Sequence, residues 1–158
     1  MVSAALEGTL VVFDTDTLTR QFEWCPFPGR RFELHDGEDY SGFLDFCGDI
    51  DSSDSNSTVV VTEAGKDAVH LLDIRRKRHV GHVCREGSIP GPRGVCASSC
   101  GRIVAVSIRR SGHPHAVHLF VRSAGPWCVW KQTKVVDVGL GTRPRSISFC
   151  QDNSTLLP

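Results

Sequence analysis

Histidine and cysteine are the residues with which this chain could hold a metal ion, since its 158 residues include seven of each. Structural zinc sites combine close pairs of such ligands on two segments. Cys96 and Cys100 form one close pair, but no second pair stands at a matching spacing. His113, His115 and His118 straddle a predicted turn and a predicted strand. The sequence therefore predicts no metal site and no cofactor, with cysteines in the core and histidines at the surface.

Basic residues form the second group that could do chemistry. Residues 75–78 read Arg-Arg-Lys-Arg, and two further arginines stand together at residues 109–110. Clusters of this kind can bind phosphate backbones, although a solvated turn is the simpler interpretation. No RNA-binding motif with interleaved aromatic residues accompanies them. The predicted interaction patch consists of Arg75, Arg76, Lys77, Arg78, Arg109 and Arg110.

The elements that must position these residues are short strands. Residues 9–13 and 18–24 are apolar or alternating around a turn rich in Asp and Thr, which predicts a hairpin. Further strands are predicted over residues 58–62, 68–74, 78–83, 93–97, 102–107, 116–121, 127–131, 134–138 and 145–150. No stretch of ten or more residues has a convincing helical period without Gly or Pro. No apolar run is long enough for a membrane span, so the sequence predicts an all-β fold and no membrane partner.

Part of this pattern repeats. Ala-Val-His-Leu at residues 68–71 recurs at 116–119, an offset of 48, and Thr-Val-Val-Val-Thr at 58–62 aligns with Ile-Val-Ala-Val-Ser at 103–107, an offset of 45. A unit of 40–50 residues with four short strands is typical of a β-propeller blade. The predicted fold is therefore a set of propeller-like blades of four antiparallel strands.

Two segments carry a resemblance to a known family. Residues 92–107 begin Pro-Arg-Gly-Val-Cys-Ala and end Gly-Arg-Ile-Val-Ala-Val-Ser, which resembles the first half of an NHL repeat. Residues 60–73 resemble the second half of the preceding repeat, and the resemblance covers about residues 44–150. The acid that ends the second strand in the family is Glu63 in one blade, but Ser107 is aligned with it in the other.

The number of blades is small. Two good units, one N-terminal hairpin and one cut-off start give about three blades, whereas closed propellers have four to eight. We therefore expect an incomplete propeller, a fragment of a longer one. Its predicted parts are a degenerate first blade with an acidic loop (1–43), a blade (44–92), a second blade (93–144) and the start of a truncated blade (145–158).

Catalytic motifs are absent from the sequence: there is no Gly-x-Ser-x-Gly, no P-loop and no His-Glu-x-x-His. Some propellers are hydrolases or lyases that use a central metal ion. Glu63, Asp67 and Asp73 could be ligands in such an enzyme, but their spacing does not require it. The sequence therefore predicts a protein that is not an enzyme, with a metal-dependent propeller hydrolase or lyase as a further alternative.

The charge is zero overall, 18 basic against 18 acidic residues, but it is divided along the chain. Residues 1–70 hold 4 basic and 14 acidic residues, and residues 71–158 hold the remaining 14 basic and 4 acidic ones. An odd number of cysteines without a secretion signal predicts a cytoplasmic protein with reduced thiols. The resemblance to NHL propellers implies a protein-interaction platform, so a protein partner is expected. RNA binding through the basic loops is the alternative, and DNA binding is not expected.

Overall fold

The computed structural model describes residues 9–14, 16–28, 44–49, 58–108, 115–124, 129–139, 146–149 and 156–157, of which 44–49 and 156–157 are described by their backbone alone. These residues form twelve strands. They are β1 (Leu10–Phe13), β2 (Arg20–Trp24), β3 (Leu44–Asp49), β4 (Thr58–Glu63), β5 (Ala68–Asp73), β6 (Arg78–Cys84), β7 (Pro92–Ala97), β8 (Ile103–Ile108), β9 (Ala116–Arg122), β10 (Trp130–Asp137), β11 (Ser148–Phe149) and β12 (Leu156–Leu157). The helical structure of the described part is one 3-10 turn over Ala64–Lys66, and no helix there is long and apolar enough to cross a membrane.

The strands form four antiparallel sheets in chain order. Strands β3–β6 form one four-stranded sheet, here called sheet I, and β7–β10 form another, sheet II. The hairpins β1–β2 and β11–β12 stand before and after them. Strand β7 packs against β3 and β4, and β11 packs against β7, so the first strands of successive sheets are neighbours. This is the arrangement of propeller blades around an axis, and it confirms the predicted all-β, propeller-like fold with sheets that do not close.

Apolar layers fill the spaces between the sheets, because alternate residues of each strand face opposite sides. Between sheets I and II, Val60 and Val69 pack with Val104, Val106 and Phe120. Between the first hairpin and sheet I, the layer contains Leu10, Val59, Val61 and Leu72, with Trp24 and Phe27 packed against it. Between sheet II and the last hairpin, it contains Cys96, Ala105, Val117 and Ile147. Each four-stranded sheet therefore buries both faces, which no single sheet could do alone.

The structure departs from the predicted strands at one place in sheet II. Residues 127–131 and 134–138 were expected to be two strands, whereas β10 runs without a break over Trp130–Asp137. The pairing with β9 shifts by one residue between Gln132 and Lys134. The polar residues that indicated a turn in the sequence are therefore part of the strand, and Thr133 is the extra residue of a β-bulge.

The register also corrects one alignment between the two sheets. Glu63 pairs with Ala68, and Ile108 pairs with Ala116, the equivalent alanine of sheet II. Glu63 therefore corresponds to Ile108, and the prediction that Ser107 is its counterpart was wrong. Ser107 corresponds to Thr62, and each of these hydroxyls bonds the backbone of β7, at Gly94 and Arg93 respectively.

Candidate metal centre

A bulge in β6 places two histidines on the same face of sheet I. His82 pairs with His70, Gly81 pairs with Leu71, and His79 pairs with Leu72, so Val80 between them has no partner across the ladder. Residues three apart on a regular strand face opposite sides. Because Val80 is an extra residue, His79 and His82 instead face the same side as His70.

The imidazoles of these residues converge. His70, His79 and His82 each offer a ring nitrogen, and the three nitrogens lie within 4.8 Å of one another. His70 Nδ1 and His79 Nε2 are 3.2 Å apart. Two nitrogens bound to the same tetrahedral zinc ion at ordinary bond lengths stand about 3.3 Å apart. The cluster is therefore close to the geometry of a three-histidine metal site.

A carboxylate holds the innermost ligand. His70 is 1% exposed and Glu63 is 2% exposed, and Glu63 Oε2 lies 2.8 Å from His70 Nε2. With Nε2 donating its proton to this carboxylate, Nδ1 presents its lone pair to the cluster. Metal-binding histidines are commonly oriented by a carboxylate in this way, which fixes the tautomer and increases the basicity of the ligand. Glu63 would thus act on an ion at the cluster through His70 rather than as a ligand.

An aromatic side chain lies beside the cluster. The ring of Phe27, which follows β2, has its centroid 4.6 Å from that of His70 and 6.0 Å from that of His79. Lys77, in the turn between β5 and β6, places its Nζ 4.6 Å from the ring centroid of Phe22 on β2. The cluster therefore lies between the first hairpin and sheet I, with His79 and His82 exposed to solvent.

Sheet II has the same backbone at this place but different side chains. Its bulge at Thr133 corresponds to the bulge at Val80, which matches Gln132 with His79 and Val135 with His82. His118 corresponds to His70 by its pairing within each sheet, and its Nδ1 lies 3.1 Å from Gln132 Oε1. The sheet therefore folds without the cluster, so the architecture alone does not require histidine at these positions.

The equivalent site in sheet II also lacks the carboxylate, because Ile108 occupies the position of Glu63. Burying a polar pair costs free energy that an apolar side chain avoids. Sheet I carries the buried pair of Glu63 and His70 where sheet II carries an isoleucine. The buried pair is therefore a feature of sheet I that the blade architecture does not require.

The predicted interaction patch is described in part. Arg76 and Arg78 both contact the carboxylate of Asp73, at 3.2 and 3.8 Å, and Lys77 lies over Phe22. Arg75 is exposed in the same turn. Arg109 and Arg110 lie outside the described residues, so whether the two basic segments form one patch stays a prediction.

The other candidate ligands do not converge in the described part of the chain. Glu63 bonds His70, Asp67 accepts a hydrogen bond from the backbone N–H of Gly91 at 2.8 Å, and Asp73 accepts one from that of Arg76 at 2.9 Å. His70, His79 and His82 are the one group of three or more candidate ligands found among the described residues. His113 lies outside them.

The two cysteines of the predicted pair have different surroundings. Cys96 is buried and Cys100 is exposed. The Ser98 hydroxyl, followed by the backbone of Arg102, lowers the pKa of the Cys100 thiol. Cys84, at the end of β6, is buried instead, and burial raises the pKa of its thiol to about 12.

Sequence spacing missed the histidine cluster because the bulge changes the face on which His79 lies. His79 and His82 were considered with the basic run, and His70 was matched with His118. One signal was present: Gly81 interrupts β6, and a glycine within a strand often marks a bulge. A bulge between two histidines three residues apart would have placed them on one face.

Comparison with known proteins supports the fold and nothing finer. No protein-family model matches the chain, and no curated protein matches it. Among solved structures, Kuenenia stuttgartiensis hydrazine synthase, a β-propeller-type protein, matches with a TM-score of 0.62 and 16% sequence identity. The match covers 94% of this chain and 35% of that protein, so this chain spans about a third of its length. At this identity the likeness shows a shared fold alone.

Proposed function

We propose that this chain is a metal-binding part of a β-propeller-type protein, with the ion held by His70, His79 and His82. The observation that carries the proposal is the convergence of three ring nitrogens within 4.8 Å, one of them on an imidazole held by a buried carboxylate. The proposal is a form of the metal-dependent alternative considered from the sequence, but its ligands are three histidines instead of Glu63, Asp67 and Asp73. Glu63 positions a ligand.

The ligand chemistry indicates the class of ion. Imidazole suits zinc, copper, iron and nickel, whereas calcium and magnesium prefer oxygen ligands. Three histidines on one hairpin occupy three adjacent positions around an ion, which is compatible with a tetrahedral zinc ion. We therefore expect Zn²⁺ to bind and Mg²⁺ and Ca²⁺ not to compete.

The test is a zinc titration of the full chain, freed of metal by dialysis, in competition with a chromophoric chelator. We expect one ion per chain, and a loss of affinity of at least tenfold in His79→Ala and in His82→Ala. Both side chains are exposed, so these variants should fold. His118→Ala, at the equivalent position of sheet II, is the matched control and should bind zinc like the parent. Equal affinity in all four proteins would refute the proposal.

A second candidate function is the protein-interaction platform implied by the resemblance to NHL repeats. It is supported by two exposed valines on β10, an edge strand of sheet II: Val135 is 48% exposed and Val136 37%. An edge strand with exposed apolar side chains is a surface on which another protein chain can pair. A photo-crosslinking residue at Val135 should give a discrete protein adduct in cells, while one at Leu18, exposed on the first hairpin, should not. Identical adducts at both positions, or none at Val135, would contradict this function.

RNA binding receives less support from the described contacts, since Asp73 offsets part of the charge of Arg76 and Arg78. Filter binding across a salt series tests it. An affinity that falls steeply with salt and is lost when residues 75–78 become serine would favour RNA binding over the other two functions. A cytoplasmic location is proposed with each of them.

A further inference from the structure

We infer that a metal ion at the histidine cluster strengthens the docking of the first hairpin on sheet I, and that the ring of Phe27 transmits the effect. The inference rests on the proposed metal site and gives that site a regulatory role, since the ion then determines how firmly two neighbouring sheets hold together. Phe27 is a positioning residue in this scheme, because it acts on the ion through His70 and His79.

The first step concerns the contact between the cluster and the first hairpin. The rings of His70, His79 and His82 lie 4.5 to 5.3 Å apart, measured between their centroids. Phe27, three residues beyond the end of β2, adds a fourth ring at 4.6 Å from that of His70 and 6.0 Å from that of His79. The proposed ligands therefore form part of the surface against which this segment packs.

The second step concerns how Phe27 is tied to the hairpin. Trp24, the last residue of β2, and Phe27 both pack against the apolar layer that contains Leu10 of β1, which is 2% exposed. Phe27 thus belongs to the layer that joins the first hairpin to sheet I. A separate contact, between Lys77 Nζ and the ring of Phe22, joins the same two parts of the protein at the turn between β5 and β6.

The third step concerns what an ion changes at this contact. Imidazoles bound to a divalent ion share its positive charge, and an aromatic ring attracts a cation within about 6 Å of its centroid. Binding also restricts the rotamers of His79 and His82, which are exposed, so less ordering remains for Phe27 to impose. Because such coupling is reciprocal, the factor by which the ion favours docking is also the factor by which docking favours the ion.

The size of the coupling follows from the type of contact. An attraction between a cation and an aromatic ring at a partly exposed site changes an equilibrium constant by about two- to fivefold. Phe27→Leu keeps an apolar side chain in the layer but removes the ring, so its zinc affinity should fall by this factor. Phe27→Tyr retains the ring and should bind zinc like the parent. Phe22→Leu is the matched control, since it removes a ring of the same hairpin that contacts Lys77, and it should also bind zinc like the parent.

The experiment measures hydrogen exchange of the full chain with and without zinc, on peptides that cover β1–β2 and on peptides that cover β9–β10. Zinc is added to saturation of each protein, so that a general stabilisation by the ion is common to all of them. We expect zinc to slow the exchange of the first hairpin by a factor about two to five times larger in the parent and in Phe22→Leu than in Phe27→Leu. The response of β9–β10 to zinc should be equal in all of these proteins. A purely structural role of Phe27 would speed the exchange of the hairpin with and without zinc alike, and would leave the ratio unchanged.

The outcomes separate this inference from the proposed function. If zinc binds but slows the exchange of the first hairpin by the same factor in Phe27→Leu as in the parent, the coupling is refuted and the metal site stands. If Phe22→Leu loses as much zinc affinity and zinc response as Phe27→Leu, the effect belongs to the packing of the hairpin in general and the inference fails as well. If zinc itself does not bind, the proposed metal site fails and the inference falls with it.

Discussion

Replacing Glu63 with glutamine tests how far the carboxylate behind His70 determines metal affinity. In the parent, Oε2 lies 2.8 Å from Nε2 of a histidine that is 1% exposed, and Glu63 itself is 2% exposed. Glutamine retains an acceptor of the same shape, so His70 keeps its orientation and its tautomer. The variant loses the negative charge that makes the imidazole a stronger donor to the ion.

The size of the effect follows from this geometry. Removing a hydrogen-bonded partner of a metal ligand reduces affinity by about 10- to 100-fold, or roughly 1.4 to 2.7 kcal/mol. Glu63→Gln keeps the hydrogen bond and should lie near the tenfold end. Glu63→Ile, which installs the residue that sheet II has at the equivalent position, removes the bond as well and should lie near the hundredfold end.

The assay is a competition titration of zinc against a chelator, with far-UV circular dichroism to show that the metal-free variants fold. Asp73→Asn is the control: Asp73 is another buried carboxylate of the same sheet, and it contacts Arg76 and Arg78. Its zinc affinity should stay within about threefold of the parent, as expected for loss of one charge at a distance. If Glu63→Gln binds zinc as tightly as the parent, or if Asp73→Asn weakens it equally, then the carboxylate does not act through His70.

Three further outcomes are expected. Zinc at a hundred times its dissociation constant should raise the free energy of unfolding by about 2.7 kcal/mol, measured by urea denaturation, and magnesium should leave it unchanged. Gln132→His/Val135→His should give sheet II a second, weaker zinc site and a stoichiometry of two, whereas Gln132→His/Lys134→His should not, because residue 134 faces the other side. Burial raises the pKa of Cys84 to about 12, so the folded chain keeps this thiol protonated when the unfolded chain ionises above about pH 8.5. The free energy of unfolding should therefore fall as the pH rises past 8.5, more steeply than in Cys84→Ala, and at neutral pH a thiol reagent should label Cys100 before Cys84; equal labelling would refute this.

The fold was predictable from the sequence where local pattern and repeat agree. The apolar alternation of residues 58–62 and 103–107 predicted β4 and β8, and both are central strands with nearly all side chains buried. A turn was wrongly predicted within β10. Seven of the eight residues of this strand are exposed, so its sequence has no apolar period that would indicate a strand. Edge strands are held by their neighbours rather than by their own hydrophobic pattern.

The candidate site was not predictable in the same way. Its three histidines come from a buried position on β5 and two exposed positions on β6, and the spacing between them has meaning only after the register is known. A one-residue shift reverses the face of every following side chain. The sequence showed the residue types and Gly81, but not that Val80 would have no partner across the ladder.

The bulge shared by β6 and β10 also has a consequence for how such a protein can change. Both strands lie at the outer edge of their sheets, so an extra residue there disturbs the pairing with one neighbour only. In each strand the bulge places two positions on the same face as a histidine of the adjacent strand, and these positions are filled by histidines in one sheet and by Gln132 and Val135 in the other. Substitutions at these positions of the edge strands exchange one set of nitrogen or oxygen atoms for another, while the central strands keep their packing. A row of blades can thus exchange the side chains on this face one blade at a time, with little effect on the stability of the whole.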